Sequence, residues 1–436
     1  MTNRPKKILL LTGDIVFFII SMIIIILIEN TKGLYSRLAI SHYWILLVII
    51  PVWTTSFFIE GLYSLRTFNR HGMIISLLRA IIIATIVSTG ILYFFDIFGI
   101  TPKTNLIIFS FLAFVFTYLW RKTFLSLFSY DAFTRSVTFI GKSDEYNELK
   151  DIFKTKPYLG FKVVDHFHCL TKSDKEIKSN IIVIDNNMLS SDIVANALFQ
   201  LLNSGISIIP LSDFIETVSG RIPVKTIDHT WFLNSNANFK QGSYHLTSPI
   251  IDKALAILLL LFVIPLFAIL IPILLIFNGR PIFYSQTRTG LNGKNFKIWK
   301  LRTMRVDAEK SGAQWAQKND SRITPIGKFL RASRLDELPQ LINILNGSMS
   351  FVGPRPERPE IIKEKLETVI PFYNYRHLVK PGVTGWAQVN YGYGNSKEDS
   401  LIKLQYDLYY VKNKNTWLDL RIILMTINSV LSRTGL

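Results

Sequence analysis

Four long apolar stretches, roughly 8–28, 42–59, 74–95 and 105–128, occupy the first third of this 436-residue chain. Each approaches the ~20 residues that cross ~30 Å of hydrocarbon. A water-soluble globule is therefore the wrong frame. The first stretch lacks a small-residue cleavage site and is too long for the apolar core of a signal peptide. Trp44, Trp53, Tyr93 and Trp120 fall near stretch ends, where interfacial anchors are expected. Arg4, Lys6, Lys7, Arg66, Arg70, Arg121 and Lys122 outnumber Lys32, Arg37 and Lys103 on the opposite side. That bias predicts both ends of a four-helix transmembrane bundle, residues 1–130, at the cytoplasmic face. Asp14 and Arg79 lie in or near the spans and are expected to pair or snorkel.

Composition narrows the class. Hydrophobic residues make up 49% and charged residues 18%, which excludes a disordered chain. One cysteine, Cys169, permits neither an intrachain disulfide nor a cysteine-based metal site. A formal charge of +18 suits an anionic membrane surface or phosphorylated substrates. No motif for reading nucleic acid is present, so no nucleic-acid partner is expected.

Between about 131 and 245 the pattern changes to short apolar runs at 137–140, 181–184 and 206–209, with helical stretches at 145–154 and 192–203. This alternation predicts a cytoplasmic, Rossmann-like α/β domain with a parallel sheet. The turn after the first run reads Gly141-Lys-Ser-Asp-Glu. It lacks the G-x-G-x-x-G that lets a backbone approach a pyrophosphate, so a structural or regulatory module is expected.

A fifth apolar block, 254–277, is long enough to cross. Pro265 sits in its middle and removes a backbone donor. Lys253 precedes the block, and Arg280 and Arg288 follow it, so both flanks favour the cytoplasmic face. A re-entrant helix over about 250–277, broken at Pro265, satisfies both facts; a kinked span is the alternative, with Pro272 a second weak point.

The remainder of the 246–436 region is polar and dense in Gly, Pro, Arg and carboxylates. Gln286-Thr-Arg-Thr-Gly290 and Lys300-Leu-Arg-Thr-Met304 place cations near turns, with Lys300 and Arg302 as candidate substrate contacts. In 331–340, Asp336 and Glu337 follow Arg331 and Arg334. Adjacent carboxylates suit metal-assisted phosphoryl chemistry: one can hold Mg²⁺, which keeps waters and is shared with substrate phosphates, and the other can attack phosphorus. Arginines clamp phosphate oxygens bidentately. Singly, such features are commoner on solvated faces and in ordinary turns.

Together the motifs carry a resemblance. Leu335-Asp-Glu-Leu-Pro-Gln340, Met349-Ser-Phe-Val-Gly-Pro-Arg-Pro356, Pro381-Gly-Val-Thr-Gly385 and Tyr406-Asp-Leu-Tyr-Tyr410 occur in the order found in the bacterial sugar transferase family, the monotopic polyprenol-phosphate phosphoglycosyl transferases. The upstream spans and α/β unit look like the long form of that family. The resemblance implies a mainly α catalytic domain with a re-entrant membrane helix in the bacterial cytoplasmic membrane. It also implies transfer of a sugar 1-phosphate from a UDP-sugar, glucose first and galactose next, to undecaprenyl phosphate with release of UMP. That reaction initiates exopolysaccharide, capsule or O-antigen assembly. By motif position Asp336 is the nucleophile and Glu337 the Mg²⁺ partner. Lys300, Arg331 and Asp419 match polar active-site residues, and Arg355 matches the phosphate contact of Pro-Arg-Pro. Ile264 stands before Pro265 where short members carry Ser, and Gln388-Val-Asn-Tyr-Gly-Tyr-Gly394 replaces a stretch that ends in Gly-Arg. The segment 417–431 is amphipathic and suits either the membrane surface or the catalytic core. A bundle of this kind can self-associate as a homodimer. Competing readings are a membrane glycosyltransferase that releases UDP and a non-catalytic scaffold for polysaccharide assembly.

Overall fold

The computed structural model describes residues 4–30, 49–65, 72–94, 103–129, 133–169, 179–190, 192–202, 205–229, 231–232, 244–308, 320–392, 394 and 396–431. The chain divides into two compact units, Met1–Ser219 and Gly220–Leu436.

In the first unit, α1 (Arg4–Asn30), α3 (Met73–Phe94) and α4 (Lys103–Leu127) are long and apolar enough to cross a membrane. Between α1 and α3 lies the shorter apolar helix α2 (Ile49–Ile59); the first half of the expected 42–59 stretch, with Trp44, falls outside the described residues. The expected interfacial role of Trp53 does not hold. Its ring is fully buried, edge-on to Phe18 and Phe109, and its indole N–H donates to Ser88 at 3.2 Å. An indole inside a bundle needs such an acceptor, and Ser88 provides it. Trp120 likewise turns inward, donating to the Leu10 carbonyl. Asp14 meets Arg121 through two hydrogen bonds, both side chains fully buried. A charge within apolar helices is tolerable only with such a partner. Arg79 lies 4.0 Å from Glu60.

The same unit contains a four-stranded parallel sheet of order β2-β1-β3-β4, built from β1 (Arg135–Ile140), β2 (Phe161–Phe167), β3 (Ile181–Ile184) and β4 (Ser207–Pro210). Helices α5 (Glu145–Thr155), α6 (Asp192–Leu202) and α7 (Leu211–Ser219) connect or flank the strands. One core runs continuously from Leu10 in α1 to Val218 in α7. The bundle and the sheet therefore share a single apolar interior. At the turn after β1, Asp185 accepts from the Lys142 N–H at 2.9 Å. Gly141 adopts φ +138°, and a Cβ there would lie 2.0 Å from the Asp185 carboxylate. The first amide of this turn is thus satisfied from within the protein.

In the second unit, α8 (Tyr244–Asn278) stays helical through Pro249, Pro265 and Pro272, so the break expected at Pro265 is not found: a proline costs a helix one backbone donor, and the turns on either side continue without it. Its sides differ. Ala256, Val263, Leu270 and Leu274 are buried against Ile298, Leu301, Leu330, Leu341 and Ile344. Ile257, Leu261, Phe262, Ile264, Ile269 and Phe277 are exposed. Both ends of α8 are tied to this unit: Asp252 accepts from the Phe351 N–H, and the Asn278 amide donates to the Arg302 carbonyl.

Around α8 lie an antiparallel hairpin, β5 (Phe283–Thr289) and β6 (Asn295–Leu301), then α9 (Pro325–Ala332), α10 (Gln340–Leu345) and a short parallel pair, β7 (Ser350–Val352) and β8 (Gly382–Thr384). Helices α11 (Trp386–Asn390), α12 (Lys397–Asn413) and α13 (Thr416–Leu431) complete it. A Cβ at Gly353 would meet the Lys380 carbonyl at 2.3 Å, and one at Gly382 would meet the Gly353 amide at 2.1 Å. These glycines let two backbone segments cross, which no side chain permits. We expect Gly353→Ala to lower the thermal midpoint of the full chain, since overpacking costs about 1–3 kcal/mol. An unchanged midpoint would show that the crossing relaxes freely.

The boundary between units lies earlier than the expected 245/246. Ile222, Val224, Ile227, Trp231 and Phe232 pack with Ile361, Leu366 and Leu408 of the second unit. Trp386 donates its indole N–H to the Gly220 carbonyl. Apolar segments join whichever core can bury them, and here that core is downstream.

Candidate active site

Three elements of the second unit assemble the site. Helix α9 starts at Thr324, whose hydroxyl accepts from the Gly327 N–H, and ends with Arg331 in its last turn. Arg334 then takes a left-handed backbone, φ +58°. That conformation costs a non-glycine residue about 1–2 kcal/mol. It reverses the chain into the tight turn Leu335–Glu337 and buries Asp336 and Glu337 together, 7% and 8% exposed. The expectation that an Asp-Glu pair more often lies on a solvated face does not describe this one.

Strand β6 brings Lys300 alongside. Its register is held by Asn343 of α10, which accepts from the Trp299 N–H and donates to the Lys297 carbonyl. The Gly353–Pro356 crossing brings Arg355. Glu337 Oε1 receives Lys300 Nζ at 2.9 Å and Arg355 Nη2 at 2.8 Å, with Arg334 3.9 Å away. Burial opposes a charge on Glu337, but Arg355, Lys300 and Arg334 together outweigh it and hold the carboxyl well below the usual range. Asp336 is driven the other way. Burial first, then the Glu337 charge, raise it against the pull of Lys300, Arg331 and Arg355. Its Oδ1 is buried without a hydrogen-bond partner. Two adjacent carboxylates are thus split: one clamped as an anion, one with an oxygen left over. Around them stand Lys300, Arg331, Arg334 and Arg355, more positive charge than the pair can cancel.

The other expected site residues sit differently. Arg331 donates Nε to the Thr303 hydroxyl at 2.8 Å and acts on Asp336 through its charge. Arg302 is spent on the end of α8, where its guanidinium donates to the carbonyls of Asn278, Gly279 and Arg280. It secures the last turn of that helix, whose terminal carbonyls have no partner within the helix. Asp419 accepts from the Tyr244 and Tyr410 hydroxyls at 2.6 and 2.9 Å. Burial is the main reason its carboxyl is raised to about 6, with the Asp252 charge adding to it. The Tyr410 hydroxyl also lies 3.1 Å from the Val352 carbonyl, so this cluster joins α8, α13 and the strand that leads to Arg355.

Of the supporting residues, Arg376 was not singled out from the sequence and Arg288 was read only as a flanking cation. Arg376 donates to the Arg355 carbonyl at 2.9 Å and to the Tyr373 hydroxyl, and pairs with buried Asp407 at 2.8 Å. Arg288 donates to the Pro356 carbonyl, and the Thr289 N–H to that of Glu357. The Pro-Arg-Pro segment is therefore held from both sides. Asp407 lies inside the quoted 406–410 motif, but its partner is 31 positions away, which no local spacing reveals.

The carboxylate pair offers a hard, oxygen-only and incomplete donor set. This fits Mg²⁺, which takes one or two carboxylates and completes its shell with water and substrate phosphates.

Comparison with known proteins points the same way. Residues 243–433 match the model of the bacterial sugar transferase family. Over 227 residues, half of this chain, it is 41% identical to a UDP-N-acetylgalactosamine-undecaprenyl-phosphate N-acetylgalactosaminephosphotransferase of Aeromonas hydrophila, spanning 51% of that protein. It is 32% identical over 308 residues to the UDP-glucose:undecaprenyl-phosphate glucose-1-phosphate transferase of Escherichia coli, covering 64% of each chain. It is 31% identical over 343 residues, 70% of each chain, to an uncharacterized sugar transferase of Haemophilus influenzae. The chain spans between about half and two thirds of the length of the first two of these relatives. With Asp336, Glu337, Lys300 and Arg355 meeting in one site inside the matched region, the chain belongs to the bacterial sugar transferase family.

Proposed function

We propose that this protein transfers a sugar 1-phosphate from a UDP-sugar to undecaprenyl phosphate and releases UMP. One observation carries the reading: buried Asp336 with an unpartnered oxygen, beside a Glu337 that three cations keep ionised. In the first step an Asp336 carboxylate oxygen attacks the phosphorus that bears the sugar. The bond to the bridging oxygen breaks, and its electron pair leaves with UMP. In the second step a phosphate oxygen of the lipid attacks the same phosphorus. The Asp336–phosphorus bond breaks, and the carboxylate is restored. Lys300, Arg331 and Arg355 neutralise charge on the transferring group. Glu337 would hold Mg²⁺, which would supply Lewis-acid polarisation of donor phosphate oxygens.

Purified full-length protein, given undecaprenyl phosphate, Mg²⁺ and a panel of UDP-glucose, UDP-galactose and UDP-N-acetylgalactosamine, should release UMP with one of them. Release of UDP instead would replace this reading with simple glycosyl transfer. Asp336 must be ionised to attack, and its carboxyl is raised above the ordinary range. Activity should therefore fall on acidification at a higher pH than an ordinary Asp would set, and a flat profile down to pH 4 would count against Asp336 as nucleophile.

The reading also has a membrane geometry. The N-terminal helices sit in the cytoplasmic membrane, and the catalytic unit faces the cytoplasm, where UDP-sugars are made. Helix α8 enters and leaves through that same face. Support comes from its two ends, which both bond to the catalytic unit, and from its apolar exposed side. A helix that crossed to the far side could not keep both attachments. A reporter fused after Leu436 should read cytoplasmic; a periplasmic signal would mean that α8 crosses.

A further inference from the structure

Of the four cations around the carboxylate pair, Lys300, Arg334 and Arg355 pair with Glu337. Arg331 is the fourth. Its Nε donates to the Thr303 hydroxyl at 2.8 Å, and among the described residues its side chain makes no other hydrogen bond or ion pair. Thr303 lies just past the end of β6, three positions after Lys300, and is 6% exposed. It also anchors the start of the helix that carries Arg331. The Thr303 carbonyl accepts from the Thr324 N–H at 3.0 Å and from the Thr324 hydroxyl at 3.3 Å. A Cβ at Gly327 would lie 2.1 Å from that carbonyl oxygen, so only glycine lets α9 come this close. Side chains of a helix lean toward its N-terminus. Arg331, in the last turn of α9, therefore reaches back to the residue that holds the first turn.

An arginine held by its Nε has its plane fixed and its two terminal amino groups left over. Those two groups form the fork that grips two oxygens of a phosphoryl group at once. Lys300 and Arg355 each spend a nitrogen on Glu337 Oε1. The Arg331 charge instead acts on Asp336, without a bond to either carboxylate. Burial shields the Thr303–Arg331 bond from competing water, so it holds the guanidinium more firmly than a surface contact would. What the contact needs from residue 303 is an acceptor. Valine has the shape of threonine and lacks one.

We propose that Thr303 is a positioning residue, whose hydroxyl holds Arg331 by its Nε so that the two terminal amino groups meet the phosphoryl group transferred through Asp336. This deepens the reaction proposed above and rests on it. In the full-length protein in detergent, Thr303→Val should lower kcat for UMP release by about tenfold to a hundredfold, the scale of a misplaced catalytic group, with a smaller change in KM. Thr303→Ser, which loses the methyl and keeps the acceptor, should restore most of the rate. A packing role predicts the reverse order, since valine fills the site and serine leaves a gap. In an Arg331→Met background, Thr303→Val should cost less than about twofold more, because the group it aims is gone. Thr303→Ala removes the same acceptor and decides the matter if Thr303→Val fails to fold. Wild-type turnover in the folded variant, a serine variant as slow as the valine one, or losses that multiply in the double variant would overturn the proposal. Release of UDP by the wild type would sink the reaction, and non-multiplying losses read on that product would still support Thr303 acting through Arg331.

Discussion

Asp336→Asn should lower UMP release by at least about a thousandfold, because a carboxamide cannot serve as the covalent nucleophile. The loss should fall on kcat. Without lipid acceptor, the wild-type protein should gain the mass of one sugar phosphate when given donor, and the variant should gain none. Stability should move the other way or not at all. Asp336 is buried, has an unpartnered oxygen and sits beside the Glu337 charge. Removing its charge relieves that repulsion, so the thermal midpoint of Asp336→Asn should equal or exceed the wild-type value. A variant that is inactive because it unfolds would leave the nucleophile unassigned to Asp336. Retained turnover in a folded variant would exclude it.

The second large effect concerns a residue remote from the carboxylates in sequence. Arg376→Met should destabilise the protein by about 3–5 kcal/mol, the cost of stranding one member of a buried ion pair. For a unit of this size that corresponds to a fall in Tm of roughly 10 °C. The stranded group is Asp407, whose carboxyl burial already raises to about 6 despite Arg376. With the guanidinium gone it should rise further. Below that pH Asp407 takes a proton and is neutral in the folded variant. The penalty should therefore be smaller at pH 5 than at pH 8. Arg376→Met with Asp407→Leu should recover much of the stability, since a buried pair replaced by apolar groups is often neutral. Equal destabilisation at both pH values would mean that Arg376 acts through Tyr373 and the Arg355 carbonyl alone. Because Arg376 holds that carbonyl, activity should remain impaired in the double variant.

Much of the site was legible because its parts are close in sequence. Asp336, Glu337, Arg331 and Arg334 lie within seven positions, and one tight turn brings the carboxylates into the same interior. Lys300 and Arg355 were legible as motif members and do reach Glu337. Arg302 was legible only as a cation near a turn. Its role depends on where α8 ends, and a helix terminus with carbonyls to satisfy claims the nearest guanidinium. Trp53 shows the same limit in the bundle: an aromatic residue near a span end suits an interface, but Ser88, 35 positions away, draws its N–H inward.

Short-range pattern alone determined that apolar helices precede a parallel α/β sheet and a polar region with a carboxylate pair among cations. These follow from periodicity, span length and adjacent residue types, which act over a few residues. Tertiary structure alone decided which residues are spent on support and which stay free for chemistry. It gave Asp14 to Arg121, Asp407 to Arg376 and Arg302 to the end of α8, while leaving an oxygen of Asp336 without a partner. The reason is desolvation: a charge buried by packing must find its counterpart wherever the fold brings one, at any separation along the chain.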